Sequence, residues 1–154
     1  MCGLRRSLRK MNLDEPIIPG RSAAGISLGD EILPIVRETN PRRVQQTIGG
    51  DVLHFDDVIV WSDSAREAVN QIAVFGAYTG TFEQGLSVGM PLRAAIKNLG
   101  PVTIGEDDEL CFERFHGLGI ETSGDGDSET ISHIIVYPQR SEQDDAGKPD
   151  PAAS

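Results

Sequence analysis

Apolar residues along this chain follow two periods. At i, i+3, i+4 spacing, Ile32, Ile35 and Val36 predict a short amphipathic helix over about 31–39, and Leu92, Ala95 and Ile96 predict a second over about 91–99. Asp30 is placed to cap the first helix, Pro91 suits the first turn of the second, and Gly100 its C-terminal end. Pro34 is tolerable only near a first turn, so the first helix is expected to be short. After each helix the pattern changes to β-branched and aromatic runs. These are Val52–Phe55, Val58–Trp61 and Ile72–Phe75, then Leu110–Phe115, Leu118–Thr122 and Ile131–Tyr137. Ser123-Gly124-Asp125-Gly126-Asp127 reads as a hairpin turn, glycine and aspartate supplying the positive-φ positions.

The same order of elements appears twice. Gly25-Ile26-Ser27-Leu28-Gly29-Asp30 recurs as Gly85-Leu86-Ser87-Val88-Gly89-Met90, and Asn40-Pro41 answers Gly100-Pro101. With small gaps, Leu53-His54-Phe55 answers Leu110-Cys111-Phe112, and Ile72–Phe75 answers Ile134–Tyr137. The expected fold class is therefore α+β: two tandem copies of a short helix plus an antiparallel β-meander, related by a pseudo-twofold. The copies are expected to share one core, because a module of about 60 residues alone is marginal. The layout is a flexible N-terminal segment (1–15), module copy 1 (16–82), module copy 2 (83–140) and a disordered acidic tail (141–154).

Charge changes the picture more than composition does. The 154 residues carry a net charge of −10. Arg5, Arg6, Arg9 and Lys10 account for four of the 14 basic residues, and the first ten positions hold no acid. Residues 11–154 therefore carry ten basic against 24 acidic residues, a net of −14. Such a surface repels nucleic acid and anionic membrane and attracts basic partners. The basic start is not followed by the roughly 7–15 apolar residues of a secretory leader, and no run approaches the roughly 18 of a membrane span. Cys2 and Cys111 form no framework, and Cys111 lies in an apolar strand pattern that predicts a small buried thiol. These features predict a cytoplasmic protein whose start is Met1 or Met11.

Chemical signatures are weak. Gly-x-Ser-x-Gly occurs at Gly25–Gly29 and Gly85–Gly89, the pattern that presents a nucleophile in α/β-hydrolases. That fold needs a large parallel sheet, whereas this chain predicts meanders, and a doubled motif reads more simply as a turn element. His54 and His133 alternate with apolar neighbours and face the other side of their strands; Cys111 and His116 are too few ligands for a structural zinc site. Asp125-Gly126-Asp127 fails the calcium-loop spacing, since its sixth and twelfth positions are Thr130 and Val136. No catalytic residue, metal or cofactor is expected. The acidic clusters Asp56-Asp57 and Asp107-Asp108-Glu109 are either solvated strand ends or patches aimed at a basic partner. Trp61, the single tryptophan, lies beside the first as core residue or interface anchor.

Gly85-Leu86-Ser87-Val88-Gly89-Met90-Pro91, a short helix closing at Leu99-Gly100-Pro101, and three strands resemble the helix-plus-meander module of the outer-membrane assembly lipoprotein family. That resemblance covers about 50 residues per copy and implies a protein-binding module without enzymatic activity. The chain departs from that family in lacking a lipoprotein signal and a lipidated cysteine. As a short acidic chain of such modules it is similar in class to immunity proteins of bacterial polymorphic and contact-dependent toxin systems. The implied function is to neutralise a cognate, basic, nuclease-type toxin by blocking it, with Asp56, Asp57, Trp61, Asp107, Asp108 and Glu109 as candidate partner-binding residues. A small hydrolase using a Gly-x-Ser-x-Gly serine, and a regulatory or scaffold module, are the alternatives.

Overall fold

A computed structural model describes residues 11–83, 85–105 and 108–139. The architecture is α+β, mainly antiparallel, with two α-helices among the described residues. A small hairpin of β1 (Ser22–Ala23) and β2 (Ile26–Ser27) leads into α1 (Ile32–Thr39). Strands β3 (Arg43–Thr47), β4 (Gly50–Phe55), β5 (Val58–Ser62) and β6 (Val69–Phe75) follow as a meander. Helix α2 (Leu92–Leu99) then precedes β7 (Val102–Ile104), β8 (Leu110–Phe112), β9 (Leu118–Ser123) and β10 (Thr130–Val136). The eight longer strands form one sheet in the order β3-β4-β5-β6-β10-β9-β8-β7.

The helix ends explain why the chain turns where it does. Neither helix has a side-chain N-cap: Glu31 and Pro91 occupy those positions, and the Asp30 carboxylate accepts the Ser27 N–H at 2.9 Å instead. A backbone carbonyl does the capping. Ile32 donates to Glu67 O at 2.8 Å and Leu92 to Glu129 O at 3.0 Å, so first-turn amides that a helix leaves orphaned are paired by the approach to β6 or β10. Pro34 sits third in α1, where its missing N–H costs nothing. Asn40 closes α1 in the left-handed conformation (φ 58), and Gly100 closes α2 at positive φ (98), its N–H donating to Ile96 O. Both Gly-x-Ser-x-Gly segments are anchoring turns. Gly29 (φ 91) donates to Val69 O and Gly89 (φ 92) to Ile131 O, each at 2.8 Å.

The two meanders share one register. Val58, Val60 and Trp61 face Val74, Ile72 and Gln71; Leu118, Ile120 and Glu121 face Val136, Ile134 and His133. Each then breaks at the same step, where Asn70 in β6 and Ser132 in β10 are the extra residues of a bulge. The halves meet at β6 and β10, with Ile72 opposite Val136 and Val74 opposite Ile134. β3 and β7 have no counterpart among the strands predicted after each helix, three per copy. Both are outermost, and the polar, exposed Arg43-Val44-Gln45-Gln46-Thr47 carries no alternation by which to read it.

One core joins both halves. Ile35, Leu53, Val60, Ile72 and Val74 pack in the same cluster as Ala95, Leu99, Leu118, Ile120, Ile134 and Val136. Both helices thus lie on one face of the sheet. Residues 11–15, assigned by the sequence to the flexible segment, are bound to that layer. Asn12 N–H donates to Ala24 O, Leu13 O accepts from Thr79 and Gly80, and the Tyr78 hydroxyl donates to Glu15 O at 2.6 Å. Residues 1–10 and the acidic tail from 141 lie outside the described residues.

Candidate functional site

Because side chains alternate across a strand, the face that holds the helices leaves a second face to the remaining residues. Val52, Ala73 and Ile135 are almost completely buried yet stand outside the main core cluster. They belong to this second face. Register places Ile59, Ala73, Ile135, Gly119 and Cys111 along its middle row. Val52, Trp61 and Gln71 lie to one side of that row, Phe75, His133 and Glu121 to the other. None of the described helices covers it, and Ile59, Trp61, Phe75 and Tyr137 are half-buried there.

Interactions on this face tie the aromatic and acidic groups together. The rings of Phe75 and His133 lie 5.0 Å apart and tilted, and His133 Nδ1 is 3.6 Å from the Glu121 carboxylate and 2.9 Å from the Ser132 hydroxyl. The Tyr137 hydroxyl lies 3.5 Å from Cys111 Sγ. Burial, then the contact with Cys111 and the nearby negative charge of Glu109, push the Tyr137 hydroxyl well above the usual tyrosine range. Glu109 turns its carboxylate over Gly119, where a β-carbon would stand 3.3 Å from Oε2. Where β5 carries Ile59, β9 carries this glycine, and the Glu109 side chain occupies the space above it.

The predicted acidic residues fall differently. Asp56, at the β4–β5 turn, pairs with Arg42 at 3.0 Å, both side chains largely exposed. Asp57 is an architectural residue at φ 63. Its carbonyl accepts the Phe75 N–H at 3.0 Å and its carboxylate the Ala77 N–H at 3.1 Å, fixing the end of β6. Asp108 is exposed ahead of β8, Glu109 lies beside it on the second face, and Asp107 lies outside the described residues. The β4–β5 turn and the segment before β8 are at the same end of the sheet but five strand spacings apart, about 24 Å, so they form no single patch. Trp61 is on the second face, two residues beyond Ile59 and away from the Asp56-Asp57 turn. Phe75, His133, Glu121, Gly119 and Tyr137 were not among the predicted site residues. Their strand alternation was readable, but which alternate set would be left uncovered was not.

Nucleophilic and metal chemistry find no such convergence. Ser27 donates its backbone N–H to Asp30 and Ser87 its own to Met90 Sδ, while His54 lies against Gln45. Among the described residues, no group of three or more His, Cys, Asp or Glu is arranged to hold a metal, and no helix is long and apolar enough to cross a membrane. The chain matches no protein-family model, no curated protein and no solved structure.

Proposed function

We propose that this chain is a non-enzymatic protein-binding protein of the immunity class, acting in the cytoplasm to block a cognate basic toxin of nuclease type. The observation that carries the reading is an acidic chain, net −10, whose described helices both lie on one face of an eight-stranded sheet and leave the other uncovered by helix. A nuclease domain is basic because it must hold phosphates, and a dense negative inhibitor gains fast association and discrimination from that charge. The Asp56-Asp57 and Asp107–Glu109 groups contribute to this field, and Trp61 offers an aromatic anchor.

The finer architecture belongs to the same reading. We take the chain as a tandem duplication whose two helix-plus-meander copies are related by a pseudo-twofold through the β6–β10 pair. Support comes from the matching registers, the bulges at Asn70 and Ser132, and the paired anchors Gly29–Val69 and Gly89–Ile131.

The test is co-expression. The product encoded beside this chain should arrest growth alone and be harmless when the chain is present, and their association should slow with added salt as the Debye length falls below about 8–10 Å. A toxic product that this chain neither binds nor relieves would remove the immunity reading.

A further inference from the structure

The eight-stranded sheet ends on β3 at one edge and on β7 at the other. An edge strand exposes a row of backbone donors and acceptors, and shortness is one way a chain blunts it. β7 has three residues, whereas β3 has five, Arg43–Thr47, all exposed except Thr47. The β3–β4 register tells which backbone groups are unused. Thr47 and Gly50 close the two-residue turn Ile48-Gly49, and the pair that closes such a turn exchanges hydrogen bonds. Bonded and non-bonded pairs then alternate, so Thr47, Gln45 and Arg43 turn their backbone groups toward β4. The Arg42 N–H, which donates to His54 O at 2.8 Å, lies on that inner side as well. Val44 and Gln46 turn theirs outward, where no strand among the described residues meets them. The same hairpin carries two of the five exposed large apolar side chains among the described residues, Val44 at 46% and Ile48 at 103%.

We propose that β3 is a self-association edge, to which a second copy of the chain adds its own β3 antiparallel, centred on Gln46. Outward groups bond outward groups, so a twofold antiparallel pair can be centred on Val44, Gln45 or Gln46. Only the last sets Val44 of each protomer opposite Ile48 of the other and so covers both exposed side chains. It also sets Gln45 opposite Thr47 and Arg43 opposite Gly49, so no like charges meet across the seam. The edge tolerates an acidic partner because β3 itself holds no acid. Asp51, opposite Gln46 on β4, is engaged by Arg66, and Asp56 by Arg42. The −10 charge of each body opposes approach at long range, but no carboxylate stands at the contact. A seam of one short strand belongs to the small, transient class of interfaces.

Sedimentation of the full chain from about 10 µM to about 1 mM, the range suited to a transient contact, should show a monomer–dimer equilibrium. Added salt should strengthen it, because screening removes repulsion between two acidic bodies. Association with a basic toxin weakens in salt, so the two contacts are told apart. Amide hydrogen exchange reads the register. Protection of Val44 and Gln46 should rise with protein concentration, while that of Gln45 and Thr47, already bonded to β4, should not change. Val44→Lys puts a charge on the seam, and Gln46→Pro removes an outward donor without touching the β3–β4 ladder. Each should weaken dimerisation about tenfold or more and leave the melting transition cooperative, and exchange in the parent decides the matter if either variant fails to fold. Ile104→Lys, at the 73% exposed residue on β7, should change nothing. A chain that stays monomeric throughout the range overturns the proposal. So does a dimer whose concentration-dependent protection falls outside β3, or one that folded Val44→Lys and Gln46→Pro leave intact. Association that runs on past the dimer and is broken by Ile104→Lys would mean that β3 meets β7 in head-to-tail files, which overturns it as well.

Discussion

Tyr78 offers the sharpest test of how the N-terminal segment is held. Its ring is 3% exposed, and its hydroxyl accepts the Ala24 N–H at 2.8 Å while donating to Glu15 O at 2.6 Å. Ala24 and Gly25 form the turn of the β1–β2 hairpin with φ of 57 and 79, and Ala24 is 1% exposed. That hydroxyl is the acceptor for the amide of a buried residue. Tyr78→Phe keeps the ring and its packing but strands the amide, which costs about 1–3 kcal/mol, and forfeits the bond to Glu15 besides. A loss of about 2–3 kcal/mol is expected from a total that is typically 5–15. In urea, followed by Trp61 fluorescence, the midpoint should fall with an unchanged slope. By thermal melting the midpoint should drop by roughly 6–12 °C. Hydrogen exchange should quicken at Asn12, Thr79 and Gly80, whose bonds tie residues 12–13 to the body, and stay slow in β5 and β6. A loss below about 0.5 kcal/mol, or exchange that quickens evenly through the sheet, would refute the argument. Burial also holds the Tyr78 hydroxyl above its ordinary range. A raised folded pKa means stability that is complete below about pH 10 and lost as pH climbs through the folded value, so the parent should weaken in alkali more steeply than Tyr78→Phe.

Further outcomes follow from other contacts. Gly29→Ala and Gly89→Ala meet no neighbouring atom within 4 Å, so each should cost only the backbone term of about 1–2 kcal/mol, and a difference above about 1 kcal/mol in denaturant melts would contradict the equivalence of the two turns. Asp63 accepts the Glu67 N–H at 2.9 Å and the Ala68 N–H at 3.4 Å, which holds its carboxyl below the usual range. The stability it contributes is present above about pH 4 and lost as pH falls, so Asp63→Asn should flatten the acid limb of the stability curve. Ser27→Ala and Ser87→Ala should leave any background ester hydrolysis unchanged; a robust activity lost in either would promote the hydrolase alternative.

Local physics was legible in the sequence and non-local physics was not. The periodicity gave helices over 31–39 and 91–99, against Ile32–Thr39 and Leu92–Leu99 in the molecule. Asp30 was read as a cap because its type and position suit one, yet the carbonyls of Glu67 and Glu129 do that work from more than 30 residues away. Asp57 looked like a surface charge because nothing nearby in sequence needs it; the amide it satisfies belongs to Ala77. Alternation in β5, β6, β9 and β10 marks two sets of side chains, but only the placement of both helices on one side decides which set the helices leave uncovered.

That placement follows from the way the halves join, and it leads to a last prediction. On the proposed duplication, pairing β6 with β10 sets the pseudo-twofold normal to the sheet, so both helices fall on the same side and the opposite face doubles in width. Positions matched by register then divide sharply. Toward the core they stay apolar: Leu53 with Leu110, Val58 with Leu118, Val60 with Ile120, Ile72 with Ile134, Val74 with Val136. On the open face four pairs change kind, His54 with Cys111, Ile59 with Gly119, Trp61 with Glu121 and Gln71 with His133, while Ala73 with Ile135 and Phe75 with Tyr137 stay apolar or aromatic. Packing constrains the first set, and nothing inside the molecule asks the second to differ. Writing the first half's residues into the second, as Gly119→Ile with Glu121→Trp, should therefore leave the fold within about 1–2 kcal/mol of the parent, since a β-carbon at Gly119 meets chiefly the flexible end of Glu109. The same change removes the Glu121 carboxylate and adds bulk to the middle of the face, so on the proposed function inhibition of the toxin should be lost while the melting transition stays cooperative. A folded double variant that still inhibits would show that the divergence of the open face serves no partner. One that fails to fold would show that Gly119 and Glu121 hold the sheet itself.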